Sequence, residues 1–403
     1  MRTLARLATA ALLAATPLAA GSASAAAPEP TPVPLTMSAN AIPGQYIVTL
    51  EPGFDPVKVA ERLGLKPKFL YTKALNGFAV PMTPLQLQIA RVSLGVKSVA
   101  ADAKVSAPSS VGTAAGAAGP ELRGPSSSWG LDRIDQQTWD AANGKGDGQF
   151  ITQGNGAGVT AYILDSGIDY QHEEFGGRAT FGFDAIKDGR DGQDCNGHGT
   201  HVAGTVAGKT YGVARKANVV SVRVLGCDGQ GDSSGILAGL DWVAKNAKQP
   251  AVLNGSLGGD KSEVLNDAAN AVTDAGVLPV FAAGNDSKDA CFVSPASASK
   301  VLTVAASNQY DEETSFSNYG TCVTLYAPGE AILSAKLGGG SVLENGTSMA
   351  APHVTGVAAL YKQANPSATP ESIVEYLDQE STKDVLKSVS KSSPNALLFT
   401  NGL

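Results

Sequence analysis

Short apolar runs alternate with longer segments of helical spacing along residues 129–403. The apolar, β-branched runs predict strands at residues 159–164, 219–225, 251–253, 277–282 and 301–305. Apolar residues that recur every three or four positions predict helices at residues 201–207, 234–247, 262–275, 349–363 and 370–377. Such alternation is typical of an α/β domain in which a mostly parallel sheet has helices on both faces.

The pattern upstream of this domain is different and predicts a smaller unit at residues 42–105. Strands are predicted at 46–50, 69–71, 78–80 and 96–99, and helices at 56–63 and 84–93. This βαββαβ order indicates a small α+β, ferredoxin-like unit. Residues 28–41 are rich in Pro, Ala and Thr, and residues 106–128 in Gly, Ala, Ser and Pro, so both segments are predicted to be linkers.

The first 25 residues have the three parts of a secretory signal peptide. Arg2 and Arg6 come before an apolar run from Leu7 to Ala20, and small residues follow at 23–25. No later run reaches the ~18 apolar residues that a membrane-spanning helix requires. We therefore expect a soluble, secreted, extracellular protein.

Composition narrows the classes of partner. The chain has 403 residues, of which 43% are hydrophobic and 17% charged, as in a globular protein with a sizeable core. A formal net charge of −7 argues against nucleic acid or an anionic membrane as a partner. The chain contains 4 cysteines, which in an exported protein predict two disulfides, although the residues alone do not choose among the pairings.

Ser348 is the first candidate for chemistry. Gly346 and Thr347 lead into an apolar, helix-forming stretch, so Ser348 is expected in the first turn of a helix. Free backbone N–H groups and the positive end of the helix dipole there favour developing negative charge, which suits an acyl-transfer nucleophile. The alternative is that Ser348 only caps the helix.

Two upstream motifs supply the partners that a serine nucleophile needs. Asp165 ends a predicted buried strand, and His198 stands between glycines in a small-residue segment. A serine hydroxyl needs an imidazole base, and the imidazole needs a carboxylate to fix its tautomer. The order Asp165, His198, Ser348 is one of three unrelated orders known for such triads.

These motifs resemble the three active-site signatures of the subtilisin-like serine proteases (peptidase family S8). The resemblance runs from about Trp129 to the end of the chain and is strongest to the proteinase K and aqualysin branch. The matching segments are Asp165-Ser166-Gly167-Ile168, Asn196-Gly197-His198-Gly199-Thr200-His201-Val202-Ala203-Gly204-Thr205 and Gly346-Thr347-Ser348-Met349-Ala350-Ala351-Pro352-His353-Val354.

The resemblance implies a secreted serine endopeptidase of broad specificity that favours large apolar P1 residues. Asn285 matches the family's oxyanion asparagine. The implied substrate-binding residues are Ser256, Leu257, Gly258, Ala283 and Gly284. The implied reaction needs no cofactor. The implied enzyme is a monomer, and its partners are protein and peptide substrates. The branch's tyrosine on the other substrate strand is replaced by Ser233, which leaves the S4 subsite open.

The same resemblance gives the upstream unit a role. Residues 42–105 match an inhibitor I9-like propeptide that assists folding, blocks the active site and is removed by the enzyme itself. Residues 106–128 would then be the cleavable linker, and residues 129–403 the catalytic domain. An accessory domain that stays attached is the alternative.

The cysteines and histidines allow two interpretations. The resemblance implies the disulfides Cys195–Cys227 and Cys291–Cys322. Cys195, His198 and His201 are spaced three residues apart and could instead ligate zinc, although a fourth ligand is not identified.

Acidic residues cluster twice. Asp132, Asp135 and Gln136, with Asp140 nearby, resemble a calcium site of the family, so a structural calcium ion is expected there. A second group contains Asp184, Asp188, Asp191 and Asp194. Solvated surface acids are the alternative for both groups.

Two rival functions use the same residues. An esterase of the α/β-hydrolase type would need a second glycine after the nucleophile and a serine-first triad order, and the chain has neither. A secreted binding protein on an inactive protease scaffold would have lost catalytic residues, whereas all four candidates are present.

Overall fold

The computed structural model describes residues 31–107 and 128–403. The predicted signal peptide at 1–25 and all but the edges of the predicted linker at 106–128 lie outside the described residues. Among the residues described, no helix has the length and apolar character required to cross a membrane.

Residues 31–107 form an N-terminal α+β unit. Its elements are β1 (Leu35–Thr36), β2 (Ala41–Leu50), α1 (Pro56–Arg62), β3 (Phe69–Tyr71), β4 (Gly77–Pro81), α2 (Pro84–Arg91) and β5 (Val96–Ser106). The antiparallel strands lie in the order β5-β2-β4-β3, which confirms the predicted βαββαβ, ferredoxin-like arrangement. Asp55 and Thr83 cap the two helices, and each helix begins with a proline, as helix N-termini commonly do.

Residues 128–403 form a C-terminal α/β domain. Its strands are β6 (Thr160–Asp165), β7 (Ala179–Asp184), β8 (Asn218–Arg223), β9 (Gln230–Asp232), β10 (Ala251–Gly255), β11 (Gly259–Asp260), β12 (Leu278–Ala282), β13 (Val293–Ser294), β14 (Leu302–Ser307), β15 (Leu325–Pro328), β16 (Ile332–Ala335), β17 (Ser341–Glu344), β18 (Thr382–Lys383) and β19 (Ala396–Leu397). Its helices are α3 (Trp129–Ile134), α4 (His198–Ala207), α5 (Ser233–Asn246), α6 (Glu263–Asp274), α7 (Thr347–Ala364) and α8 (Pro370–Glu380), with a short 3-10 helix at Ala290–Phe292.

The main sheet is mostly parallel, as predicted. Its order is β18-β19-β15-β14-β12-β10-β6-β8-β7, and only β18 runs antiparallel to its neighbour. Successive residues of β6 point to opposite faces: Ala161 and Ile163 join the core with α4 and α7, whereas Tyr162 and Leu164 join the core with α5 and α6. Both faces are therefore buried under helices, which confirms the α/β class.

Several predicted boundaries are wrong, each for a local reason. The linker predicted at 28–41 contains β1, which pairs in parallel with β5. The strand predicted at 96–99 continues to Ser106, because its second half leaves the small sheet and pairs with β9. Strand β7 was not predicted because Gly182 interrupts its short apolar pattern, and β15, β18 and β19 were not predicted because they are too short to show a pattern of their own.

Candidate active site

Ser348 is the second residue of α7. The helix begins at Thr347, and Gly346 precedes it with φ +148°, a backbone conformation that favours glycine. Ser348 therefore does not cap the helix, contrary to the alternative interpretation. Its side chain is buried, and its N–H belongs to the first turn, where backbone donors have no partner within the helix.

Asp165 and His198 form a buried pair. Asp165 ends β6, and its Oδ1 lies 2.7 Å from Nδ1 of His198, the first residue of α4. Because an ionised carboxylate only accepts hydrogen bonds, Nδ1 carries the proton and Nε2 keeps its lone pair. Among the described residues, Nε2 has no hydrogen-bond partner. This arrangement leaves the imidazole ready to accept a proton.

The charges around His198 favour its protonated form. Burial disfavours the imidazolium, but the charge and hydrogen bond of Asp165 outweigh it and raise the pKa of His198 above its usual value. Glu344, at the end of β17, and Asp194 act in the same direction through their charges. The imidazole is therefore a stronger base than one in water.

Asp194 was not predicted to belong to this site. Its Oδ1 accepts hydrogen bonds from the N–H groups of Asn196 and Gly197, and its Oδ2 accepts one from Thr200 at 3.0 Å. Its Oδ1 also accepts from the hydroxyl of Ser166, next to Asp165. The carboxylate thus fixes the start of α4, which explains why this helix begins at His198 and not at residue 201 as predicted.

Asn285 follows β12 and lies beside the start of α7. Its Oδ1 accepts from Thr347 N at 2.9 Å and from Thr347 Oγ1 at 2.8 Å. These two bonds fix which end of the amide faces the helix. A Cβ added at Gly346 would come within 2.8 Å of Asn285 Nδ2, so the glycine is also required for space.

The nucleophile candidate contacts the segment after β10. Ser348 Oγ donates to Ser256 O at 3.4 Å, and Ser256 Oγ donates to Ser348 O at 2.8 Å. Helices α4 and α7, which carry His198 and Ser348 in their first turns, pack together in one core. The hydrogen bond between Ser348 and His198 is not formed, as is common before substrate binds.

The other substrate-binding candidates divide into lining and buried residues. Gly258 and Gly284 line a cavity of about 210 Å³ together with Asn285 and residues of the N-terminal unit. Leu257 and Ala283 are fully buried in the core behind it. A Cβ at Gly284 would meet Asn318 Nδ2 at 2.3 Å, so this wall cannot carry a side chain without rearrangement.

The end of β5 lies in a cleft between β9 and residues 256–260. Val105 pairs with Gly231, and Ser106 forms an antiparallel bridge with Gly258. Ala107 N donates to Gly229 O at 3.0 Å. An extended segment of the chain is therefore bound on both sides by main-chain hydrogen bonds.

The N-terminal unit also contacts α5 through buried polar groups. Asp241 Oδ1, on α5, accepts from three successive backbone N–H groups at residues 72–74. In the opposite direction, Asp102 accepts from Ser234 N at 2.9 Å, at the N-terminus of α5. Tyr71 adds a hydrogen bond to Ser234 O at 2.9 Å. The contact is specific and not merely apolar.

The cysteines form two disulfides, Cys195–Cys227 and Cys291–Cys322, the pairs that the resemblance implied. Cys195 is therefore not a thiolate ligand, and the zinc interpretation is wrong. His201 is buried with Nε2 3.0 Å from Ile332 O, and burial first, then the charge of His198, lowers its pKa to about 3. It is a structural neighbour and not a second base.

The acidic residues near α3 repel one another. Burial and the charges of Asp147 and Asp132 raise the pKa of Asp135 to about 6, and burial also raises that of Asp132. The buried Oδ1 of Asp135 has no hydrogen-bond partner among the described residues. Gln136 Nε2 contacts Asp132 Oδ1 and lies 3.1 Å from Asp147 Oδ1. The three carboxylates offer the hard oxygen ligands that calcium prefers, whereas the Gln136 amide presents its donor nitrogen to two of them.

The other acidic residues have partners of their own. The buried Arg223 pairs with Asp184 at 3.1 Å and with Asp188 at 2.6 Å. Asp140, which the sequence grouped with Asp132 and Asp135, instead accepts from Asn143 at 2.7 Å in an exposed turn. Arg223 thus compensates Asp184 and Asp188, backbone N–H groups accommodate Asp194, and Asp191 is exposed.

Comparisons with known proteins identify the family of the chain. The family model described as Subtilase family (Peptidase_S8) matches residues 156–400. An extracellular serine proteinase of Thermus sp. (strain Rt41A) is 43% identical over 387 residues, covering 89% of this chain and 90% of the relative. Alkaline serine exoprotease A of Vibrio alginolyticus is 41% identical over 332 residues, covering 82% of this chain but only 60% of that relative.

A solved structure of a cold adapted subtilisin-like serine proteinase shares 46% identity and a TM-score of 0.65, and covers 68% of this chain and 97% of the other. The match therefore extends to the fold as well as to the motifs. Since the family model covers more than half of the chain, the chain belongs to the subtilase family of serine proteases.

Proposed function

We propose that the chain is the precursor of a secreted serine endopeptidase in which Asp165, His198 and Ser348 form the catalytic triad. The observation that carries the proposal is the extended segment 104–107, which lies in the cleft that leads to Ser348. A site that binds an extended main chain from both sides is suited to peptide substrates, because the contacts tolerate almost any side chain.

The register of this segment points to the nucleophile. Ser106 is opposite Gly258, so the position opposite Ser256 is two residues further along the bound peptide. Ser256 O lies 3.4 Å from Ser348 Oγ. A peptide in this register therefore presents the carbonyl of that residue, P1, to the hydroxyl of Ser348.

The proposed reaction follows from the groups that accept and donate the proton at each step. His198 Nε2 takes the proton of Ser348 Oγ as the oxygen attacks the peptide carbonyl, and Asp165 stabilises the imidazolium that results. His198 then donates this proton to the leaving amine. A water molecule, activated by the same imidazole, hydrolyses the acyl-enzyme and regenerates Ser348.

The oxyanion of the tetrahedral intermediate needs donors that are fixed beforehand. The N–H of Ser348 lies in the first turn of α7, and the Asn285 amide is oriented by its two bonds to Thr347. Donors held in this way do not reorganise during the reaction, which is the usual source of their large catalytic effect.

Two features describe the side chains that the cleft accepts. A cavity of about 210 Å³ next to Asn285 leaves space for a large P1 residue. Val105, in the P4 position of the bound segment, is buried in the core cluster that contains Leu225 and Leu257. The S4 subsite, which the sequence left open at Ser233, thus accepts an aliphatic side chain.

The N-terminal unit fits the role of an inhibitor and folding aid. It occupies the cleft with residues 104–107 and contacts α5 through Asp102 and Asp241, so substrate is excluded while it remains bound. We infer that Ser348 itself cleaves the chain between Ala107 and Trp129 after secretion. Release of the unit then opens the cleft of the mature, monomeric enzyme.

The cluster near α3 is assigned to a structural calcium ion. The carboxylates come from Asp132, Asp135 and Asp147. The side-chain amide of Gln136 donates to Asp132 and to Asp147. The ion would neutralise their repulsion and hold the start of the C-terminal domain. It takes no part in the proton transfers.

The proposal is tested by labelling and by peptide hydrolysis on the secreted protein. A fluorophosphonate is expected to label Ser348 alone, and the same preparation is expected to cleave internal bonds of unstructured proteins. Ser348→Ala abolishes both, whereas Ser299→Ala, an exposed serine, retains both. Labelling that survives in Ser348→Ala, or hydrolysis of esters without peptides, would contradict the proposal.

A further inference from the structure

Asp232 is the last residue of β9, the strand that pairs with the bound segment. Lys104 lies directly opposite in the antiparallel register, and its Nζ is 2.9 Å from Asp232 Oδ1. The other carboxylate oxygen is 3.1 Å from Lys68 Nζ. The side chain of Asp232 is 23% exposed in this arrangement, so it is a half-buried charge that two cations compensate.

Lys104 holds a defined place relative to the nucleophile. In the register proposed above, Ser106 opposite Gly258 takes the P3 position, so Lys104, two residues earlier, takes P5. Its contact with Asp232 comes from the same extended segment that occupies the cleft. If this segment mimics a substrate, as the proposed function holds, the contact is one that substrates can repeat.

Asp232 stays charged in this setting. Burial raises the pKa of Asp232, but the hydrogen bonds and charges of Lys104 and Lys68 outweigh burial and lower it. Asp228, in the turn before β9, adds its charge to the field at Lys104. Among the described residues, Lys68 and Lys104 are the cations that pair with Asp232, and both belong to the N-terminal unit. When the unit leaves, this carboxylate loses both partners.

We propose that Asp232 forms a subsite for a lysine or arginine at P5, which Lys104 occupies in the precursor and which substrate side chains occupy in the mature enzyme. The proposal rests on the proposed endopeptidase function and names a substrate class for it. The preferred substrates are extended segments that combine an aliphatic P4 residue with a basic P5 residue.

The test uses three fluorogenic peptides that differ only at P5, with Lys, Gln or Glu. For the mature wild-type enzyme at low salt, we expect kcat/KM to follow Lys > Gln > Glu, with about a fivefold advantage of Lys over Gln that appears mainly in KM. The Lys/Gln ratio is expected to fall to about one in Asp232→Asn and to decrease in 1 M NaCl, since salt screens exposed charges. Asp267→Asn, an exposed acid on α6, loses the same charge and is expected to keep the wild-type ratio.

The outcomes separate this proposal from the proposed function. If wild-type enzyme cleaves all three peptides equally well, the P5 subsite is refuted while the endopeptidase function stands. A Lys preference that persists in Asp232→Asn assigns the preference elsewhere and also refutes the proposal. If wild-type enzyme cleaves none of the peptides and Ser348 is not labelled by fluorophosphonate, the proposed function fails and the subsite fails with it.

Discussion

Two groups of carboxylates in the C-terminal domain, one around α4 and one beside α3, differ in their partners. Around α4, Asp165 faces an imidazole and Asp194 accepts from several backbone N–H groups. Beside α3, Asp135 has a buried oxygen without a partner among the described residues, and after burial the charges of Asp147 and Asp132 raise its pKa. Protein groups alone organise the first region, whereas in the second region burial and neighbouring carboxylates raise the pKa of Asp135.

This difference predicts that the region around α4 determines activity, whereas the region beside α3 determines stability. A group whose partners are protein atoms keeps its geometry whenever the chain is folded. A group whose partner is a bound ion depends on the concentration of that ion. Changes around α4 are therefore expected to affect the reaction, and changes beside α3 the folded state.

The largest effect is expected when the proposed nucleophile or base is removed from the first region. Ser348→Ala and His198→Ala are each expected to lower kcat by about 10⁶, and the double variant by little more, because the two residues act as a unit. Steady-state kinetics on one peptide substrate measures this. A double variant that shows the product of the two single effects would mean that the residues act independently.

A smaller effect is expected for Asp194, which only positions His198. Asp194→Asn replaces an acceptor of the N–H groups that start α4 with a donor, which displaces His198. Since small displacements of a catalytic group can cost about 10²-fold, we expect kcat to fall by roughly that factor with KM little changed. Asp191→Asn removes an exposed charge three residues away and serves as the control. Equal losses in both variants would contradict a positioning role.

The second region is tested by melting temperature. With calcium at about 100 times its Kd, the Tm of the wild type is expected to rise by roughly 5–10 °C, because the ion binds only the folded state. Asp135→Asn is expected to lose this response, and Asp140→Asn, an exposed neighbour with its own partner, to keep it. An unchanged calcium response in Asp135→Asn would remove the ion from this cluster.

The pH dependence of stability also tests the carboxylates beside α3. The pKa of Asp135 is raised to about 6 in the folded protein, so the folded state binds a proton more tightly than the unfolded state does. Without calcium, this group therefore destabilises the fold as the pH rises through about 6 and ceases to do so as the pH falls towards its unfolded pKa. Asp135→Asn is expected to flatten this part of the pH–Tm curve, measured in chelator.

The smallest expected effect concerns Glu344. Its charge helps to raise the pKa of His198, and the imidazole must be neutral to act as a base. Glu344→Gln is therefore expected to move the acidic limb of the kcat/KM profile to lower pH, while Glu371→Gln on α8 leaves the limb in place. A limb that stays fixed, or moves to higher pH, would contradict this electrostatic coupling.

The sequence predicted what periodicity and motif order encode. The strand that ends at Asp165 and the helix behind Ser348 follow from local apolar patterns, so their positions were within a residue or two. Short elements such as β15 depend on pairing with distant strands, which no local pattern records. The extension of β5 to Ser106 likewise depends on β9.

The candidate site was less accessible to sequence reasoning where a side chain acts through backbone contacts. Asp194 resembled the neighbouring surface acids, because nothing local distinguishes a carboxylate that fixes a helix start from a solvated one. The spacing Asp194-x-Asn196-Gly197 before the helix was a usable signal, since Asp and Asn are preferred at helix N-termini. The sequence did not predict Asp147, because it lies on a later loop and only the fold brings it next to Gln136.

The mass of the secreted protein tests the central claim most directly, since the claim joins Ser348 to the segment in its cleft. Wild type and Ser348→Ala are secreted from a protease-deficient host and measured intact, with N-terminal sequencing of each band. We predict that the wild type is cut between Ala107 and Trp129, whereas Ser348→Ala retains the N-terminal unit in one uncut chain. Ser348→Ala already cut in that interval would show that another protease removes the unit and would contradict the account.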